Sequence, residues 1–223
     1  MTLVVIVSVI VAWATPTLAP LLDITPLPAD RATALIRHST VQILAFGCNL
    51  QRHDGSGVAI APDRVLTNAH VVAGSRLIDL VPDGRPTTVA QPPGVAGGAD
   101  VASLGADGLN LPTLALASAD APPGAEVRLA GFPAAAGSGS DLVIDDERVL
   151  DYVAGRPLGQ SGRVMRLVGS ARPGMSGGPV VDAAGAVVGI VFGDEIATGH
   201  ALVIPASVLR GLLRADAFEP SSC

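Results

Sequence analysis

The sequence contains no lysine and few aromatic residues, and both absences limit what the protein can bind and how its core is built. All 14 basic residues are arginine, against 20 acidic residues, which gives a net charge of −6 and a pI near 5.0. No basic run interleaved with aromatic residues is present to hold a phosphate backbone, so nucleic acid is not an expected partner. Aromatic residues make up 3% of the chain. The core must therefore consist of Val, Leu, Ile and Ala.

Cysteine and histidine are also scarce, which argues against a metal site. Cys48 and Cys223 are far apart and form no ligand pair, and no His-x-x-x-His spacing occurs. The glycine-rich stretch 131–141 lacks the spacing of a phosphate-binding loop, and we interpret it as a mobile loop. We expect neither a metal nor a cofactor. Three histidines are interpreted as structural or exposed: His38, His53 and His200.

The N-terminal stretch differs from the rest of the chain. Residues 3–14 are almost wholly apolar, which is short for a bilayer span of about 20 residues but fits the apolar region of a secretion signal. No positive charge precedes it, and a buried core helix remains an alternative. We predict a signal peptide or membrane anchor over 1–22, then a proline-rich linker and a short helix over 23–38, with Asp30 as the helix cap.

This leader indicates export. We expect the protein to be secreted or to lie in the periplasm or cell envelope, with membrane attachment through the N-terminus left open. The chain does not indicate its oligomeric state, its physiological substrate or whether the leader is cleaved.

From residue 39 onward the sequence reads as short β-rich runs separated by turn residues. Such runs, four to eight residues long and regularly spaced, predict an all-β sandwich or barrel. Residues 115–125 have the turn-rich composition of a connection between two halves. "VVDAAGAVVGIVFG" predicts a hairpin, and "PASVLRGLLRADAF" has the apolar spacing of a C-terminal helix.

Three motifs supply the residue types that nucleophilic acyl transfer by a serine requires. "TNAHVV" contains His70, "DVASL" begins with Asp100, and "GMSGGPVV" contains Ser176. A histidine can take the hydroxyl proton, an aspartate can orient that histidine, and backbone N–H groups can bind the oxyanion. The N–H groups of Gly174 and Ser176 are the expected donors, since Gly174 lets the backbone turn.

These motifs, in this order, resemble the signature segments of trypsin-like serine peptidases, in the bacterial branch that includes the HtrA-type proteases. "DRVLTNAHVVAG", "GIVFG" and the terminal cysteine are similar in particular to the MarP-like periplasmic serine proteases linked to acid resistance. The resemblance runs from about Thr40 to the last residue. It implies a domain over 39–223 with two six-stranded antiparallel β-barrels, about 39–118 and 125–214, and the active site in the cleft between them.

The resemblance also implies roles for particular residues. Asp100 heads the apolar run "VASL", as the family motif requires, which is not true of four other aspartates between His70 and Ser176: Asp79, Asp83, Asp107 and Asp120. The substrate pocket would have Ser170 at its base, with Val191, Phe192 and Gly193 along one wall and Gly199 opposite. None of these is charged, so a small or medium apolar substrate side chain is expected.

Two further expectations follow. In secreted digestive members of the family an Asp precedes the nucleophile and pairs with a newly cut N-terminal amine. Met175 stands there in this chain and cannot form that pair, so activity should not depend on a freed amino terminus. The even cysteine count, the predicted export and the MarP-like relatives together predict a disulfide between Cys48 and Cys223, with two unrelated thiols as the alternative.

The sequence therefore predicts an exported serine endopeptidase that acts on protein or peptide substrates. Two other classes remain open: a catalytically silent pseudo-protease that binds peptide, and a membrane-attached scaffold. The presence of His70, Asp100 and Ser176 together favours the enzyme, because a chain freed from catalysis has no physical need for all three.

Overall fold

The structure is a computed structural model that describes residues 28–48, 51–82, 87–89, 93–134, 141–155 and 162–221. Several predicted features lie outside these ranges, namely the leader, most of the linker, the middle of the glycine-rich stretch, Asp83 and Cys223. The predictions made for them stay predictions.

The described part of the first half contains two short helices and seven strands. In chain order these are α1 (Ala29–Ser39), β1 (Thr40–Gly47), β2 (Arg52–Ala61), β3 (Arg64–Thr67), α2 (Ala69–Val72), β4 (Ser75–Val81), β5 (Thr87–Val89), β6 (Gly94–Ala96) and β7 (Ala102–Gly105). The second half contains β8 (Glu126–Gly131), β9 (Val143–Gly155), β10 (Gly162–Leu167), β11 (Pro179–Asp182), β12 (Val187–Asp194), β13 (Ala201–Pro205), α3 (Ala206–Arg214) and β14 (Phe218–Pro220).

The second half forms a closed antiparallel barrel of six strands, in the order β10-β13-β12-β11-β8-β9. The predicted hairpin is present as β11 and β12, joined by a turn over residues 183–186. The barrel core consists almost wholly of aliphatic side chains, among them Leu129, Met165 and Val191. The scarcity of aromatic residues thus has the structural consequence expected from the sequence.

The first half forms one antiparallel sheet, in the order β14-β6-β7-β3-β2-β1-β4-β5. Its eight described strands exceed the expected six, because the first half itself supplies seven and the chain returns after α3 to add β14, in which Phe218 pairs with Ala96. Among the described residues this sheet is open rather than closed. The all-β architecture with two β-structured halves and few helices is confirmed.

Helices α1 and α3 lie near the two ends of the described chain. The predicted N-terminal helix is present as α1 and begins at Ala29, within the predicted range, but Asp30 lies in its first turn without a capping hydrogen bond. The expectation that Asp30 caps the helix was therefore wrong, although an acidic residue in the first turn is favourable near the positive end of the helix dipole. The C-terminal helix is present as α3, where Asp120 accepts hydrogen bonds from the backbone N–H and hydroxyl of Ser207. No helix among the described residues is long and apolar enough to cross a membrane.

Candidate active site

His70 lies on α2, a single helical turn that follows β3. Val71 and Val72 bury their side chains in the core of the first half. This packing holds the turn and leaves the imidazole of His70 at the surface, with its side chain 49% exposed. The position suits a group that must reach both a partner inside the protein and a substrate outside it.

Asp100 lies in the loop between β6 and β7 and holds His70 by two hydrogen bonds. Asp100 Oδ2 lies 2.7 Å from His70 Nδ1, and Oδ1 accepts the backbone N–H of His70 at 2.9 Å. Asn68 Nδ2 donates to the Asp100 backbone carbonyl at 2.8 Å, which fixes the loop. The structure therefore brings His70 and Asp100 together as expected.

Ser176 lies in the tight turn that precedes β11. The Ser176 carbonyl accepts the N–H of Ser56 at 2.8 Å, and the N–H of Gly177 donates to Val191 at 2.7 Å. Gly177 has φ +86°, and a Cβ there would lie 2.1 Å from the Ser56 carbonyl and 2.3 Å from Thr67 Oγ1. The turn is thus packed against the residues that precede α2. Among the described hydrogen bonds, none joins Ser176 to His70, and such bonds often form only when substrate is bound.

Gly174, one of the two expected oxyanion donors, has a left-handed backbone conformation. The carbonyl of Pro173 accepts the N–H of Ala134 at 2.7 Å. In a trans peptide the C=O and N–H point in opposite directions, so the Gly174 N–H is turned away from Ala134. Gly174 has φ +89°, and a Cβ would lie 2.4 Å from Ala134 N. Within the described residues, neither the Gly174 nor the Ser176 N–H has a protein acceptor, which leaves two donors beside the serine.

Ser56 is the residue of this site that the sequence analysis missed. It lies on β2, is fully buried, and its Oγ donates to the Gly174 carbonyl at 2.8 Å. The same Oγ accepts the N–H of Phe132 at 2.8 Å. The signal was present as a serine between two glycines at the start of "GSGVAIA", the apolar second part of β2.

Met175, next to the serine, is fully buried in the core of the closed barrel. Its Cα and Cβ lie 3.0 Å from where a Cβ of Gly131 would be, and its Sδ lies 3.5 Å from Arg172 N. An apolar side chain here holds its part of the loop by packing. That activity does not depend on a freed amino terminus stays a prediction.

The residues expected to line a substrate pocket lie on three segments of the second half: strand β12, the loop that follows β10 and the loop between β12 and β13. Val191, Phe192 and Gly193 lie on β12, and the backbone of Val191 is hydrogen-bonded to both Gly177 and Gly178 of the serine turn. Phe192 and Gly193 are half-buried. This wall is therefore fixed directly to the turn that carries the candidate nucleophile.

Ser170 is exposed, and both of its neighbours in the chain are held by carboxylates. Glu147 on β9 accepts the N–H of Gly169 at 2.8 Å, and Asp194 accepts the N–H of Ala171 at 2.7 Å. Burial raises the pKa of Glu147, the hydrogen bond from Gly169 opposes this effect, and the nearby Asp145 adds to it.

Gly199 lies in the loop between β12 and β13, which an ion-pair network fixes. Arg166 on β10 contacts Asp151 at 2.6 Å and Glu195 at 2.8 Å. The hydroxyl of Thr198 donates to Glu195, and this bond together with Arg166 holds the pKa of Glu195 below its usual range. The side chain of Ile196 in this loop is fully exposed.

The remaining site predictions concern the cysteines and metals. Cys48 follows β1 and is not a free thiol, while Cys223 lies outside the described residues, so their pairing stays a prediction. Ser221 donates to the Pro93 carbonyl, which ties the end of the described chain to the first half. No cluster of His, Cys, Asp or Glu among the described residues could hold a metal ion.

One cavity of about 850 Å³ lies between α1, β8 and β9, away from this constellation. Half of its lining residues are charged, among them Glu126, Arg128, Asp146, Glu147 and Arg148. None of the three motif residues or the expected pocket residues lines it.

The fold and this arrangement define a serine-type hydrolase. The family model described as "Trypsin-like peptidase domain" matches residues 55–190. This match covers more than half of the chain, and the chain therefore belongs to the trypsin-like peptidase family. The fold, with its closed six-stranded barrel, and the resemblance found in the sequence are both confirmed.

Individual relatives agree with this family. Serine protease Rv3671c of Mycobacterium tuberculosis is 34% identical over 178 residues, which cover 74% of this chain and 43% of the relative. The chain thus spans less than half of that protein's length. The solved structure of the Rv3671c protease in its active form has a TM-score of 0.73 at 28% identity and covers 97% of this chain and 99% of that one. The HtrA-type protease AlgW with a tripeptide has a TM-score of 0.71 at 24% identity over 85% of this chain and 63% of its own, and it shows the shared fold.

Proposed function

We propose that this chain is an endopeptidase that cleaves peptide bonds through an acyl-enzyme on Ser176. The observation that carries the proposal is the double contact of Asp100 with His70, through Nδ1 at 2.7 Å and the backbone N–H at 2.9 Å. A proton held on Nδ1 by this carboxylate leaves the lone pair of Nε2 available as a base.

The reaction follows from these roles. Nε2 of His70 takes the proton from Ser176 Oγ as the oxygen bonds to the substrate carbonyl carbon, and the carbonyl oxygen becomes an oxyanion. The free N–H groups of Gly174 and Ser176 bind this oxygen. When the C–N bond breaks, His70 gives its proton to the departing amine. Water then hydrolyses the ester by the same steps, and Ser176 regains its proton.

Protein or peptide is the substrate class that we propose. Support comes from family membership and from the peptide bound by the AlgW neighbour of the same fold. The proposed pocket residues carry no charge, so a substrate side chain that is small or medium and apolar should fit. A charged side chain would lose its hydration there without a partner.

We also propose that the protein acts outside the cytoplasm. The apolar stretch at residues 3–14 and the even number of cysteines support export to an oxidising compartment. A bond between Cys48 and Cys223 would tie the C-terminal tail to the first half of the protein.

The experiment for this function measures hydrolysis of casein and of a peptide library by the full chain, by Ser176→Ala and by His70→Ala. We expect the parent protein to cleave and each variant to lose at least about 10⁴-fold in turnover while keeping its circular dichroism spectrum. A folded parent protein that binds peptide but does not cleave it would instead identify the pseudo-protease.

A further inference from the structure

The buried hydroxyl of Ser56 lies where three segments beside the expected oxyanion hole meet: β2, the segment with Gly174 and the segment with Phe132. It belongs to β2 in the first half of the protein, whereas both of its hydrogen-bond partners, Gly174 and Phe132, belong to the second half. With one bond donated and one accepted, the hydroxyl has a single orientation that satisfies both partners.

The first bond fixes the peptide that follows the oxyanion donor. Ser56 Oγ holds the carbonyl of Gly174, while Ala134 N holds the carbonyl of Pro173. The two peptide units that flank the Gly174 Cα are thus each anchored. Because φ at this glycine is +89° and glycine can rotate readily, these two anchors determine where its N–H points.

The second bond acts on the same hole from the other side. By accepting the N–H of Phe132, Ser56 positions the segment that runs from Phe132 to Ala134. Ala134 is the residue that binds the Pro173 carbonyl. Loss of the hydroxyl would therefore release both anchors of the Gly174 peptides, one directly and one through this segment.

The backbone of Ser56 is itself held in place. Thr67 Oγ1 donates to its carbonyl at 2.7 Å, and its N–H donates to the Ser176 carbonyl at 2.8 Å. The side chain is inaccessible to solvent, so water cannot easily replace the lost bonds. Ser56 is thus a rigid point from which the hole is supported.

We propose that Ser56 is the positioning residue that keeps the oxyanion hole in its catalytic form. The proposal rests on the function proposed above and adds to it. Ser56 does not touch the reacting atoms. It acts through Gly174. Because Ser56 belongs to the folded domain, the oxyanion hole is held in place without a charged partner for Met175 and without a freed amino terminus.

The test compares Ser56→Ala with a matched control, Ser75→Ala, in the full chain. Ser75 is another buried serine of the first half, and its hydroxyl has no hydrogen-bond partner among the described residues. We expect Ser56→Ala to lower kcat by about 10- to 100-fold with KM changed less than about threefold, since removal of a complete oxyanion donor costs about 10²- to 10³-fold. Ser75→Ala should keep kcat within about twofold.

A second readout separates positioning from general stability. A peptide aldehyde, which forms a tetrahedral adduct with an oxyanion, should bind Ser56→Ala at least about tenfold more weakly than the parent protein. The corresponding uncleaved peptide should bind Ser176→Ala equally well with and without Ser56→Ala. If Ser56→Ala does not fold, Ser56→Cys keeps a side chain of similar size with a weaker donor, and the same pattern is expected in milder form.

Unchanged kcat in the folded Ser56 variants, or an equal fall in kcat for Ser75→Ala, would overturn the proposal. Equal weakening of aldehyde and peptide binding would also overturn it. These outcomes are distinct from a failure of the proposed function, in which the parent protein itself would show no turnover that depends on Ser176.

Discussion

Replacement of Asp100 by asparagine should abolish most activity without changing the shape of the site. The side chain of asparagine has nearly the same volume, and its oxygen can still accept the backbone N–H of His70, now bound at 2.9 Å. Its amide NH₂ group would then face His70 Nδ1, where the carboxylate now lies at 2.7 Å. Nδ1 would have to become an acceptor, so the imidazole proton would move to Nε2.

The cost follows from the tautomer. With its proton on Nε2, His70 cannot accept the proton of Ser176, and it also loses the carboxylate that stabilises the imidazolium. In serine proteases with this triad the same exchange lowers kcat about 10⁴-fold, which corresponds to about 5 kcal/mol of transition-state stabilisation. The free energy of unfolding should change much less, because no cavity is formed.

The assay is steady-state hydrolysis of a chromogenic peptide, with urea unfolding as the check on stability. Asp107→Asn is the matched control, since Asp107 lies in an exposed turn between the motifs that contain Asp100 and Ser176. It should leave kcat within about twofold. If Asp100→Asn kept more than about a tenth of the parent kcat while folded, the orienting role of Asp100 would be refuted.

Three other predictions concern stability and specificity. Burial raises the pKa of Glu147 in the folded state, so the folded protein binds this proton more tightly than the unfolded chain does. The stability that the bound proton supplies is fully present below the unfolded pKa and is lost as the pH rises through the folded pKa. Glu147→Gln, which keeps an acceptor for Gly169, should therefore unfold at higher urea than the parent protein at about pH 7.5, with the difference closing towards about pH 4; a difference that does not vary with pH would contradict this. Exported protein digested without reduction should yield a peptide that joins Cys48 to Cys223, whose loop of about 170 residues corresponds to at most about 5 kcal/mol of entropic stabilisation; two free thiols would refute the bond. A peptide library should show preference for small or medium apolar side chains before the cleaved bond, and strong preference for arginine or lysine would refute the pocket assignment.

Much of the fold could be predicted from local sequence patterns. The β11–β12 hairpin and helix α3 were found because their apolar periodicity and turn residues are local signals. Strand β14 was not predicted, since it has only three residues and forms by pairing with β6, more than 100 residues earlier in the chain. The cap of α1 was wrongly assigned to Asp30, because Pro28, which has no polar side chain, precedes the helix.

The candidate site was likewise only partly predictable from the sequence. His70, Asp100 and Ser176 could be predicted because each lies in a motif whose neighbours are also distinctive, and the structure brings His70 and Asp100 into contact. Ser56 stands out in the sequence as a serine between two glycines, but its role could not be predicted, because that role depends on Gly174, which lies 118 residues away in sequence. A buried serine is common in strands, and only the folded chain shows which carbonyl its hydroxyl meets.

The most direct test of the account is covalent labelling of the full chain by a fluorophosphonate probe, followed by peptide mapping. Labelling requires an activated serine beside a formed oxyanion hole, so it examines nucleophile, base and donors together. We predict one label per molecule, on Ser176, lost in Ser176→Ala and strongly slowed in His70→Ala. Folded protein that takes no label, or a label that persists in Ser176→Ala, would contradict the assignment of this chain as a serine peptidase acting through Ser176.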